Sequence, residues 1–249
     1  MFSPLEQFVI KPIVRIKNNW LDLTITNSTI FIIISIALIL IIYNINYNNN
    51  NKIIKTRWGI VLENLYQGIE KIIKDIIPGI YKKYIPFVII IFLFILTNNI
   101  IGLIPYSFTT TSHIILTITM SLTIMIGVTI IGISKHKFKF FKLFIPNGLN
   151  KGAIQLIVPL IFFIEVLSYL IRVISLSVRL SANLLSGHTL LKIVANFGLK
   201  ISYLSSILLI IPVLLLSIIY LLEIGVAIIQ AYVFTLLTTT YIKDTEFLH

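Results

Sequence analysis

Long apolar runs alternate with short polar segments along this chain, and the length of each run predicts its element. A helix rises ~1.5 Å per residue and a bilayer core is ~30 Å thick, so ~20 apolar residues span it. By that measure residues 28–45, 85–105 and 113–134 predict three membrane-crossing helices, following an N-terminal segment at 1–27. The stretch 58–80 has a different rhythm. Leu62, Leu65, Tyr66, Ile69, Ile72, Ile73 and Ile76 recur at the helical period, with Glu63, Gln67, Glu70, Lys71 and Lys74 opposite. That pattern predicts an amphipathic helix lying on a membrane surface or against partner helices.

Two further runs, 153–195 and 201–243, are each about twice the length a single perpendicular crossing needs. Each is either a helical hairpin or one helix lying steeply tilted in the membrane. No charged or Gly/Pro-rich turn divides either run, which favours long helices, and Pro159 and Pro212 permit kinks. The predicted fold is an all-α polytopic membrane protein. It has about five crossing helices plus one amphipathic surface helix, and the last two are long and strongly tilted.

Composition supports that class: 57% of residues are hydrophobic, 12% are charged, and mean hydropathy is +1.01. The absence of cysteine excludes disulfides and Cys-ligated metal or redox centres. A net charge of +11 would suit nucleic acid, but its placement points to topology instead. Of the twenty Lys and Arg, twelve fall in the loops 46–84 and 135–151, on one side of a five-crossing arrangement. Lys192 and Lys200 are the only cations in the loop regions at 106–112 and 192–200 on the other side. Positive charge collects on the cytoplasmic or matrix side, so the C-terminus falls there and the N-terminus opposite. Heavy use of Ile, Asn, Lys, Tyr and Phe, including NYNNNNK at 46–52, points to the A/T-rich codons of an organelle genome. The opening MFSPLEQFVIKP has the features of neither a signal peptide nor a transit peptide.

Against this background the ionisable residues inside the long runs stand out. Glu165, Arg172 and Arg179 are spaced by seven, and seven steps of ~100° return to within ~20°, so they share one stripe. Asn183 lies one turn beyond Arg179 on nearly the same face. In the last run Glu223 and Gln230 repeat the spacing, with Asp244 fourteen residues on. Two helices with matching polar stripes are expected to face a common wet seam. Each ionisable group at mid-membrane costs ~2.5–3.5 kcal/mol on insertion scales, so Glu165, Arg172, Arg179, His188 and Glu223 require pairing or water. For Arg172 the expected compensation is an ion pair with Glu165 along the stripe. Asn98 and Asn99 are expected to be interhelical hydrogen-bond glue. His113 is expected at the interface, with His136 and His249 solvated. Arg179 is different, because it outnumbers its nearby acids and is flanked by the small residues Ser177, Ser181 and Ala182, which let another helix approach closely.

A proton pathway needs groups that titrate near neutrality, interrupted by something that forbids a short circuit. Partly desolvated Glu and His supply the first. An arginine cannot shed its proton, so it is both a barrier to proton hopping and a lure for a passing carboxylate. Here SLSVRLSANLLSGHTLL closely resembles the hallmark of subunit a of F-type ATP synthases. NNIIGLIPYSFTTTSHI, PLIFFIEVLSYLIR, LEIGVAIIQAYVFTLLTTTYIKD and SPLEQF resemble its mitochondrial, especially fungal, form, and the resemblance covers essentially the whole chain.

The resemblance implies that Arg179 is the essential arginine facing the carboxylates of a rotating ring of c subunits. It also implies that His188 and Glu223 line a half-channel from the intermembrane space. Glu165 and Asp244 would line one to the matrix, with Gln230 near the arginine. The two long runs would be single, tilted helices in the mitochondrial inner membrane. The partners implied are the c-ring, peripheral-stalk and other small membrane subunits, lipid and protons. No nucleic acid, cofactor or metal is implied, and ATP chemistry would reside on other subunits. Ser181 stands where alanine is common, and the Asn-rich linker and Lys-rich 135–142 loop look lineage-specific.

No phosphate-cradling loop, Ser/His/Asp set or metal-ligand cluster argues for catalysis in this chain. Without an extra oxygen-ligand cluster, protons rather than sodium are the expected coupling ion. The competing classes are a self-contained proton-coupled secondary transporter and a structural membrane subunit of a respiratory complex. A transporter would show internal repeats, and the halves here do not resemble each other. A haem-bearing subunit would need paired axial histidines within spans, where only His188 lies deep.

Overall fold

A computed structural model describes residues 4–15, 24–50, 57–105, 107–137, 140, 158–202 and 210–247. His249, residues 153–157 and most of the basic loop 135–151 lie outside the described residues. Six α-helices carry the described fold: α1 (Asn27–Asn50), α2 (Arg57–Ile76), α3 (Tyr81–Leu103), α4 (Ile114–His136), α5 (Val158–Ser202) and α6 (Ile210–Glu246). All but α2 are long and apolar enough to cross a membrane. The chain is an all-α polytopic membrane protein with almost no sheet. Among the described residues one two-stranded antiparallel ladder, β1 (Pro12–Val14) with β2 (Ile25–Thr26), precedes α1.

Helix α3 is the centre of the bundle, packed against α1, α2 and α6. Within their membrane segments 56% of α3 is buried but only 17% of α5 and of α6. The two long helices pack on each other and on α4 along one face and leave the other apolar and outward. With 45 and 37 residues they outrun a ~30 Å core, so they fit it only obliquely or by projecting beyond it.

In α2, Ile69 and Ile73, followed by Ile77 just past its end, are buried one helical turn apart, against α3 and α6. The helix therefore uses its apolar stripe inside the subunit. Tyr66, assigned by periodicity to that stripe, is 45% exposed. The turn into α3 passes through Gly79 at φ +98°, a left-handed conformation that suits the absence of a Cβ.

At one end the first turn of α3 meets the last turns of α4 and α6 around Glu246. Tyr84 donates its hydroxyl hydrogen to one Glu246 oxygen and Lys135 forms an ion pair with the other. The His136 ring also reaches the Glu246 carbonyl, at 3.3 Å, so His136 is half-buried in this knot rather than solvated. Lys135 is 41% exposed and can turn to water if its partner is lost. Glu246→Ala is therefore expected to cost the bonds rather than strand a cation, about 1–3 kcal/mol. A lower dissociation temperature of the assembled complex on native gels would register it.

At the opposite end the loop before α4 folds inward. Thr109, Thr110, Thr111 and Ser112 are buried, and His113 stacks on Phe108 with ring centroids 5.2 Å apart. Burial holds the His113 imidazole below its usual value of 6.5 by penalising the cation. His113 is thus half-buried and packed where α4 begins.

Candidate functional site

Helices α5 and α6 run antiparallel, as three contacts along them establish. Gly198 lies against Pro212, Gly187 against Glu223, and Arg172 against Asp244. This sets Arg172 beside Asp244, and Asn183 with Glu223 and Gln230, along one seam.

His188 and Glu223 meet in its interior, with Nε2 and Oε1 3.6 Å apart and both side chains largely buried. That distance lies just beyond a hydrogen bond. His188 Nε2 and both Glu223 oxygens have no hydrogen-bond partner among the described residues. A buried, unsatisfied carboxylate is costly, and a transferable proton is one way to relieve the cost.

The pair sits between two openings. On one side His188 lines a cavity of about 1020 Å³, with Glu6, Lys11, Asn27, Lys192 and Tyr220 among its walls. On the other, Glu223 lines a groove of about 410 Å³ that also contains Asn183, Ser186, Gly187 and Gln230. Asn183 and Gln230, assigned to different helices by sequence, therefore share one groove with Glu223.

Arg179 lies one turn further along α5, exposed, and makes no ion pair among the described residues. Its small neighbours fall on two faces. Ser177 and Ser181 are 0% and 1% exposed and face inward, where they let α5 pack closely within the bundle. The outward face around Arg179 carries the expected Ala182 together with Ser175 and Ser186, all exposed.

Beyond Arg179 the seam closes differently from the sequence expectation. Arg172 pairs with Asp244, Nη1 to Oδ2 3.4 Å, and not with Glu165. Its guanidinium carbon also sits 4.7 Å from the centre of the Tyr241 ring. Seven residues separate Glu165 from Arg172 by ~10 Å along the axis, whereas Asp244 approaches sideways from the facing helix. Glu165 is half-buried two turns away.

Asn99 donates to the Ala227 carbonyl of α6 at 3.2 Å, one turn from Glu223, and so acts as interhelical glue. Asn98 instead donates within α3, to the Phe94 carbonyl at 2.8 Å, and accepts from Thr110 at 3.0 Å. It ties the buried loop rather than a second long helix.

The family model for the ATP synthase A chain matches residues 29–243. The chain belongs to that family. It is 43% identical to ATP synthase subunit a of Chondrus crispus over 250 residues, covering 99% of this chain and 97% of the relative. It is 42% identical to ATP synthase subunit a of Trichophyton rubrum over 255 residues, covering 100% and 98%. With the protein of the same name from Emericella nidulans the identity is 43% over 256 residues, covering 100% and 98%. Membership makes the chain a membrane-embedded component of an ATP synthase.

One residue of the seam had escaped the sequence reading. A Cβ built on Gly187 would meet Glu223 Oε1 at 2.5 Å and Cδ at 2.9 Å, so the carboxylate rests on bare α5 backbone. A helix-interior glycine costs ~1 kcal/mol relative to alanine, and that cost was the available signal. Gly187→Ala is expected to displace the flexible carboxyl end rather than the helix. ATP synthesis driven by a proton gradient should fall about 3–10-fold, or ~0.7–1.4 kcal/mol, with assembly on native gels unchanged.

Proposed function

We propose that this chain is the stator half of the proton channel of an F-type ATP synthase, passing protons to and from the carboxylates of a rotating c-ring. The observation that carries the reading is the buried His188–Glu223 pair set between two openings, with unpaired Arg179 beyond it. Protons from the side of the N-terminal segment reach His188 through the larger cavity and pass to Glu223. They leave it through the groove of Asn183 and Gln230 for the ring carboxylate. Arg179, on a face of small residues that a partner helix can approach closely, holds the deprotonated carboxylate and blocks direct proton hopping along the seam. Release on the other side runs past Asp244 and Glu165, where Arg172 pairs with Asp244 and orients it.

The outward apolar faces of α5 and α6 suit the ring and the lipid bilayer, with peripheral-stalk and other small membrane subunits completing the assembly. The location is the mitochondrial inner membrane, with the basic loops and C-terminus towards the matrix and the N-terminus towards the intermembrane space. Single substitutions at Arg179 and Glu223 test the reading, with synthesis, passive proton leak and native-gel assembly measured on the same vesicles. Wild-type synthesis in either variant overturns it.

A further inference from the structure

Residues 4–15 form a strap along one wall of the 1020 Å³ cavity, to which Glu6, Gln7, Val9 and Lys11 contribute. Pro4–Phe8 is a single 3-10 turn, and β1 then pairs with β2. Asn27, the first residue of α1, pins the strap three ways. Its backbone N–H bonds the Lys11 carbonyl, its Oδ1 accepts the Lys11 N–H, and its Nδ2 donates to the Val9 carbonyl, each at 3.2 Å. Val9, Ile10 and Ile13 remain exposed, so the strap has little apolar core of its own and is placed largely by these bonds.

What the strap delivers is Phe8. Its ring stands edge-on to the His188 imidazole, with centroids 6.5 Å apart and planes at 74°. Glu223 lies 3.6 Å from the same imidazole. An imidazole between an aromatic ring and a carboxylate has fewer open orientations than one facing a wide cavity.

We propose that the strap is the outer wall of the proton inlet and that Phe8 is a positioning residue that keeps the His188 imidazole turned towards Glu223. This rests on the reading of His188 and Glu223 as the inlet relay. An edge-to-face contact of ordinary strength biases a ring between two orientations by ~2- to 10-fold, and a loss of that size is expected when the ring is removed.

The test uses the assembled complex in membrane vesicles, with Phe8→Ala, Phe8→Leu, Phe8→Tyr and Asn27→Ala compared on native gels and in proton-driven ATP synthesis. Phe8→Ala and Phe8→Leu should lower synthesis ~2- to 10-fold with normal assembly, while Phe8→Tyr, which keeps the ring, should match wild type. The chain has no cysteine, so a Ser217→Cys variant reports access to the cavity that Ser217 lines. A membrane-impermeant thiol reagent applied from the strap side should label that cysteine faster when Asn27→Ala is added. Wild-type synthesis in Phe8→Leu, loss of assembly in both Phe8→Ala and Phe8→Leu, or unchanged labelling overturns the proposal. Glu223→Gln serves as the control. Wild-type synthesis there overturns the inlet reading itself, whereas its loss alongside a wild-type Phe8→Leu overturns only the role of Phe8.

Discussion

Arg179→Gln is expected to abolish proton-driven ATP synthesis, by at least ~100-fold or ~2.7 kcal/mol, while the complex still assembles. The side chain is exposed and unpaired among the described residues, so little inside the subunit depends on it. Glutamine also keeps length and hydrogen-bonding capacity at that surface. What disappears is the permanent charge. At an effective dielectric constant near 20, a cation ~4 Å from a carboxylate gains roughly 4 kcal/mol, which glutamine cannot supply. The same charge repels a migrating proton, so passive leak through the variant should rise as synthesis falls. Synthesis at the wild-type rate would return Arg179 to the role of a packing ion.

Glu223→Gln should separate relay from barrier. The carboxylate is 3% exposed and both its oxygens lack hydrogen-bond partners among the described residues, so ionisation there is costly. Replacing it by a neutral amide removes that cost, and normal or increased stability of the assembled complex is expected. Synthesis should nevertheless fall at least ~10-fold, or ~1.4 kcal/mol, because an amide cannot take a proton from His188 and pass it on. Unlike Arg179→Gln, this variant should show no increase in leak, since the barrier remains in place. A rise in leak would mean that Glu223 closes the seam instead of conducting through it.

The residues of the proposed site stand out in the sequence because the membrane makes them so. In a hydrocarbon environment each Glu, Arg or His carries a cost of kcal/mol size, so position alone marks it as paired, wet or functional. Seven-residue spacing then placed Glu165, Arg172, Arg179 and, on the next helix, Glu223 and Gln230 on stripes. Periodicity along one helix says nothing about its neighbour, however. Arg172 was therefore matched with an acid on its own stripe, Glu165, when its partner is Asp244 across the interface. The same limit left open which way the small residues near Arg179 face. Ser177 and Ser181 are near Arg179 in sequence but turn into the bundle, and Ser175, Ala182 and Ser186 flank it on the outward face.

By itself, the amino-acid sequence determined the membrane-spanning class, and it singled out the ionisable side chains within the long apolar runs. These follow from hydropathy, helical geometry and intrinsic chemistry, which are local properties. Only the tertiary structure decided that Glu223 rests on Gly187 and faces His188, that Glu246 joins three helix ends, and that Phe8 is returned to a helix 180 residues away. Such contacts depend on the antiparallel register of α5 with α6 and on the bonds Asn27 makes to the strap. They are set by packing between segments far apart in the chain, where no periodicity records the partner.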